Sequence, residues 1–183
     1  MASRGLRHLE LIPLGRIDQV AVSVVAANVQ TLTGLLVDVA PAWSEPEHAL
    51  LHPRMQYNAL PILKDLAEDA GLQGRLRLGI INGDLCLPIL SYVFGEAQLG
   101  GRAAVISLHR LHRGADGRAI SSSAMYERLA KVAVHETAHI LGLKHCRAPR
   151  CIMAFSLGLK QLDDLYLGFC PDCEEELRFH LRK

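Results

Sequence analysis

His135-Glu136-Thr137-Ala138-His139-Ile140-Leu141-Gly142-Leu143-Lys144-His145 is the stretch from which the rest of the chain is read. On a helix, residues four apart project from one face, so the imidazoles of His135 and His139 can grip one ion. Glu136 stands beside the first of them, placed to act as general base towards a water on that ion. Gly142 lets the backbone leave the helix sharply, which a Cβ would resist. Three residues later His145 can return as a third ligand. Three neutral nitrogens around Zn²⁺ leave a fourth position open for water, the arrangement of a catalytic rather than a structural zinc.

Immediately downstream lies a second constellation. Cys146 follows His145 directly, and Cys151, Cys170 and Cys173 come after it. Four thiolates can close a tetrahedral site with no open position, which suits a structural zinc. Cys170-Pro171-Asp172-Cys173 is a tight C-x-x-C knuckle, with Cys146 and Cys151 as the looser pair. Two disulfides or a redox C-x-x-C are the competing readings. Disulfides would call for an exporting signal, and Met1 to His8 carries no continuous apolar run of that kind. A redox motif is at home after a strand in a βαβ unit, not in a C-terminal tail. The preferred expectation is two Zn²⁺ per chain, one catalytic and one structural.

The string from His135 to Cys146, then Cys151-x-Met153, then Cys170-x-x-Cys173, resembles the archaemetzincins, small metallopeptidases that add a four-cysteine zinc to the metzincin site. Phe94-Gly95-Glu96-Ala97 and Ser107-Leu108-His109-Arg110-Leu111 are similar to that family as well. The resemblance implies an α/β (α+β) fold: a twisted five-stranded mixed sheet with an antiparallel edge strand, packed on helices that include a long active-site helix. It implies a Met-turn at Met153, an apolar floor beneath the histidines; by itself, a Met beside Ile152 reads as ordinary core. It also implies that the edge strand, Ser91 to Ala97, pairs with an extended peptide, making Tyr92, Phe94, Gly95, Glu96 and Ala97 substrate-binding residues. An edge strand without a partner is the alternative. Some metzincins carry an extra tyrosine ligand two residues after the Met; Phe155 stands there, so no fifth ligand is expected.

Outward from the motif, Ser121 to Ser123 supply an N-cap for a helix running to about Leu141, with Val132, Val134, Ala138 and Leu141 facing the core. Leu9 to Leu14 reads as a first strand. Gln19 to Thr33 is ambiguous between strand and helix period; helix is preferred, with Asp18 as cap, because Gly34 to Ala40 reads as the next strand and a parallel crossover needs a connector. Residues 41–54, with three prolines, read as a loop in which His48 and His52 are exposed rather than ligands. Asn58 to Ala70 reads as a helix stopped by Gly71, and Arg75 to Ile81 as a third strand closed by a turn at Asn82-Gly83-Asp84. Tyr92 to Ala97 and Ala103 to Leu108 form a hairpin across Gly100-Gly101. The basic loop 109–118 reads as solvated, with capture of a substrate carboxylate as the alternative. Asp172 to Arg182 closes the chain as a helix.

At 183 residues the chain fits one compact catalytic domain, divided as 1–145 with the active-site helix and 146–183 with the Met-turn and the four-cysteine site. The second part is too short for a core of its own, so a zinc staple makes physical sense. A net charge of +1 argues against nucleic acid or a membrane surface as partner. No run reaches the length of a membrane span. A monomer in the reducing cytoplasm is expected, with Cys86 as a small buried residue. The function that follows is hydrolysis of peptide bonds in a peptide or protein substrate, by a zinc-activated water with Glu136 as base, endopeptidase or aminopeptidase. Two alternatives remain: a zinc-binding interaction protein with little activity, and a hydrolase of non-peptide amides or esters.

Overall fold

The computed structural model describes residues 8–68, 75–114 and 117–182. The elements along the chain are β1 (His8–Leu14), α1 (Gln19–Thr33), β2 (Leu36–Val39), β3 (Leu50–Leu51), β4 (Gln56–Asn58), α2 (Ala59–Glu68), β5 (Leu76–Ile81), β6 (Leu85–Leu87), β7 (Leu90–Val93), β8 (Gly95–Ala97), β9 (Ala103–Ser107), α3 (Ser122–Ile140), α4 (Leu159–Asp164) and α5 (Pro171–Leu181).

The main sheet has the order β2-β1-β5-β9-β8. Its first four strands are parallel and β8 runs antiparallel at the edge. Both faces are covered, which is why the strands read as apolar runs rather than alternating ones. Leu9, Leu11, Leu78, Ile80, Ala104 and Ile106 point into a layer shared with α1 and α3. Ile12, Leu14, Ile81 and Val105 point the other way, against Ile62 and Leu66 of α2. Gly79 permits that approach, since a Cβ there would lie 2.9 Å from Leu66 Cδ1.

The helical reading of 19–33 holds. Asp18 caps it by accepting from Val20 N, and Gly34 ends it in the left-handed region at φ 73°. The predicted helix over 58–70 is α2; its end at Gly71 and part of the 109–118 loop lie outside the described residues.

Two expectations need correction. The strand read as Tyr92 to Ala97 is divided at Phe94. Val93 pairs with Leu85 of β6, whereas Gly95 pairs with Ile106 of β9. The chain changes partners there because the Phe94 ring turns into the core, while its carbonyl accepts from Ser107 N at 2.9 Å. The divided strand serves a second sheet, β3-β4-β6-β7, in a region where 41–54 had read as plain loop. That region also holds a single 3-10 turn, Glu47–Ala49.

Residues 146–183 add α4 and α5. Ile152, Met153, Leu162, Leu165 and Leu177 join the apolar layer on which α3 sits. Among the described residues, no helix is long and apolar enough to cross a membrane.

Candidate active site

Ser121 starts α3 by accepting from Ala124 N at 3.3 Å, and the helix runs 19 residues to Ile140. Its exit is tight: Gly142 N donates to His139 O and Leu143 N to Ala138 O, with Gly142 at φ 105°. A side chain at 142 would meet strain at that φ and the His180 ring, 2.9 Å from an added Cβ. The turn brings the His145 ring to 5.3 Å from that of His135 and 4.8 Å from that of His139, centroid to centroid. One ring nitrogen from each of the three lies within 4.8 Å of the others.

The tautomers follow from the partners. His135 Nδ1 lies 2.7 Å from Ile152 O, and His139 Nδ1 lies 2.7 Å from Leu143 O. A carbonyl only accepts, so both protons sit on Nδ1 and both Nε2 atoms carry lone pairs. Those two Nε2 atoms are 3.0 Å apart. Lone pairs at that distance with no proton between them repel unless a cation lies beside them. Zn²⁺, at about 2.0–2.1 Å from each nitrogen, fits the donor set. Burial, aided by the His139 and His145 charges, pushes His135 down to about 4; burial also lowers His139 and His145. All three are therefore neutral near pH 7, and no proton competes with a metal.

Glu136 is buried at 8% exposure, between α3 and the edge strand. Burial, reinforced by the charge of Glu96, holds its carboxyl well above the usual carboxylate range. Gly95 of β8 lies directly over it, and an added Cβ there would stand 2.6 Å from Glu136 Cγ. A cleft of about 580 Å³ opens beside these groups. Its lining includes Tyr92, Phe94, Gly95, Glu96 and Ala97, together with His135, Glu136, His139 and His145. All five residues singled out as substrate-binding thus line the same cavity as the histidines.

The sulfurs of Cys146, Cys151, Cys170 and Cys173 form a second set, also within 4.8 Å of one another. Cys146 Sγ and Cys170 Sγ are 3.7 Å apart, far beyond a disulfide bond of about 2.05 Å but close to the spacing of two thiolates on one tetrahedral zinc. All five cysteines are free, and Cys86 is buried elsewhere. Ala148 N points at Cys146 Sγ, and Met153 N and Cys170 N point at Cys151 Sγ. Such donors suit sulfurs that carry negative charge. The Cys173 backbone N–H lowers Cys170, whereas burial raises Cys151 and Cys173. Four sulfurs gathered at this spacing with no bond between them fit a bound metal.

One short segment serves both sets. Cys151 belongs to the sulfur cluster, Ile152 O holds His135, and Met153 O accepts from Cys146 N at 2.8 Å. Met153 is fully buried there.

Sequence reasoning missed a brace behind the cleft. Arg110, read as solvated, forms two hydrogen bonds to Asp84, at 2.7 and 2.6 Å, and stacks 4.1 Å above the Tyr92 ring. That pairing spans 26 residues, and no local signal announces it. Likewise Arg128 binds both carboxylate oxygens of Asp163 and the carbonyls of Leu111 and Arg113, tying α4 and the basic loop to α3. His48 pairs with Asp65 at 2.8 Å and takes no part in either cluster.

A family model described as peptidase family M54 matches residues 17–179. An archaemetzincin of Archaeoglobus fulgidus is 35% identical over 159 residues, 86% of this chain and 91% of that one. The crystal structure of archaemetzincin from Methanopyrus kandleri has a TM-score of 0.82 at 33% identity and covers 100% of both chains. That of the Archaeoglobus fulgidus protein, solved in complex with malonate, has a TM-score of 0.78 at 34% identity over 92% of this chain and 99% of the other. A zinc-dependent peptidase from Methanocorpusculum labreanum gives 0.82 at 26% identity, with the same coverage.

Proposed function

The chain belongs to peptidase family M54 and is a zinc metallopeptidase; from that premise we propose that His135, His139 and His145 hold the catalytic zinc and that Glu136 is the general base. The observation carrying this reading is the pair of facing Nε2 lone pairs, 3.0 Å apart beside a buried carboxyl. Zinc, when bound, acts as a Lewis acid that acidifies water and polarises a peptide carbonyl. Glu136 takes the proton of the attacking water and delivers it to the leaving amine. Burial and Glu96 raise its affinity for the proton it must carry, and a Zn²⁺ at the histidines would favour the carboxylate that first accepts it.

Cys146, Cys151, Cys170 and Cys173 hold a second, structural zinc in this reading, giving two Zn²⁺ per chain. Residues 146–183 then form the stapled part of one catalytic unit, with Met153 as the turn beneath the histidines. Gly95, Glu96 and Ala97 offer the exposed edge of β8 to an extended peptide, with Tyr92 and Phe94 flanking it. The protein is proposed to act as a monomer in the cytoplasm.

Zinc content and peptide turnover, measured together, test the assignment. Wild type should carry about two zincs per chain and His139→Ala about one, with turnover lost. Equal zinc in both proteins, or an active His139→Ala, would remove His139 from the metal.

Gly95→Ala tests the placement of the base. The added methyl forces the Glu136 side chain to shift, and a displacement of about 1 Å at a catalytic group costs up to roughly 100-fold in rate. We expect kcat to fall by about 10- to 100-fold with zinc content unchanged. Wild-type kcat would mean that Glu136 does not depend on the space at Gly95.

A further inference from the structure

Lys131 lies one helical turn before His135, so residues 131, 135 and 139 share a face of α3. Its side chain is 2% exposed, yet it contributes to the cleft lining. Val132, Leu162 and Leu165 line the same cleft. Two hydrogen bonds tie β7 to α4 across the cleft lining: Tyr92 Oη donates to Leu157 O at 3.0 Å, and Leu157 N donates to Gln161 in α4. Lys131 Nζ reaches α4 too, at 3.2 Å from Asp163 O. Its charged partner is Glu127 Oε1 at 2.8 Å, on a side chain that is 59% exposed.

An ammonium has three donors, and these contacts occupy two of them. A cation held in an apolar recess attracts an anion far more strongly than one in water does. Glu127 meets this ammonium from the solvent-exposed side of the pair. Four residues of helix span about 6 Å, whereas an extended peptide advances about 3.3 Å per residue. Lys131 and the three histidines line one cleft, so the residues flanking a bond held at the histidines pass along the wall to which Lys131 belongs.

We propose that Lys131 is a specificity-determining residue: it forms the base of the recess one turn from His135 and receives a substrate carboxylate there. This rests on the peptidase reading of the same cleft. The carboxylate comes either from an acidic side chain or from the C-terminus of the peptide.

Zinc-loaded wild type, Lys131→Met and Glu127→Gln are compared on peptides that are matched in pairs and scanned through the positions after the scissile bond. One pair sets Glu against Gln; the other sets a free C-terminal carboxylate against its carboxamide. In wild type the charged member of a pair should lead by about 10-fold in kcat/KM, the scale of a charge-assisted hydrogen bond. That ratio falls to about 1 in Lys131→Met and rises in Glu127→Gln, which removes the competing carboxylate. A lead confined to the Glu pair assigns the side chain, and one confined to the other pair assigns the terminus. A purely structural Lys131 would change stability or overall rate without changing the ratios. Melting and zinc content confirm that Lys131→Met is folded; if it is not, the Glu127→Gln ratio decides, since that position is exposed. Wild type without preference, or a preference untouched by these substitutions, overturns the proposal. If wild type turns over no peptide, the peptidase reading fails separately, and binding of the same pairs to zinc-loaded Glu136→Gln decides Lys131 by the same ratios.

Discussion

Glu136→Gln should keep its zinc and lose peptide turnover by about 10²- to 10⁴-fold, the range that general acid–base catalysis contributes. The substitution changes almost nothing but the proton chemistry. Glutamine matches glutamate in volume, so the space beneath Gly95 stays filled without a clash. It replaces a group that burial and Glu96 already disfavour as an anion, so folding should not suffer. The ring nitrogens that would hold the ion belong to His135, His139 and His145, and the substitution leaves all three in place. Only the capacity to accept a proton disappears. Zinc content, the melting temperature and kcat for one peptide are the measurements. A variant that retained the wild-type rate would rule Glu136 out as the base.

Cys173→Ser should have the largest effect on stability. Cys173 is buried in the apolar layer with Leu177 and Met153. Serine is a poor zinc ligand, and the substitution leaves Cys146, Cys151 and Cys170 around an incomplete site. A structural zinc can supply about 10–16 kcal/mol of apparent binding energy in small domains. If about 4 kcal/mol of that is lost as stability, the melting temperature falls by roughly 8–16 °C in a chain of this size. Zinc should drop to about one per chain or below, and turnover should drop with it, because Ile152 O would no longer hold His135 in place. Cys86→Ala is the control: it removes a buried thiol outside the cluster and should leave both metals bound. Two zincs and an unshifted melting temperature in Cys173→Ser would refute the structural-zinc assignment.

The legible parts of this protein are those whose partners lie close in sequence. Asp18 and Gly34 bracket α1, Ser121 caps α3, and the three histidines fall within eleven residues around one glycine. Their clustering needs only a helix and a turn, both written locally. The central parallel strands were legible because burial on both faces makes them continuously apolar. The second sheet was not. Its strands are two to four residues long, too short to show a period, and β4 finds β6 across α2 and β5. Phe94 looked like one more apolar residue in a strand, because nothing local marks the point where a chain changes partners. Arg110 looked solvated for the same reason, and the clamp formed by Arg128 was invisible. An arginine declares its charge, while the carboxylate that meets it lies 26 or 35 residues away.

The segment 151–154 would couple the two proposed metal sites. Thiolates are softer ligands than imidazoles, and a closed set of four holds zinc without an open position. A zinc in the sulfur cluster would hold the segment that carries Ile152 O and the Cys146–Ala154 bridge, and with it the orientation of His135 and the return of His145. In a cell short of zinc, a chain holding only that ion would wait, assembled but silent, for the second.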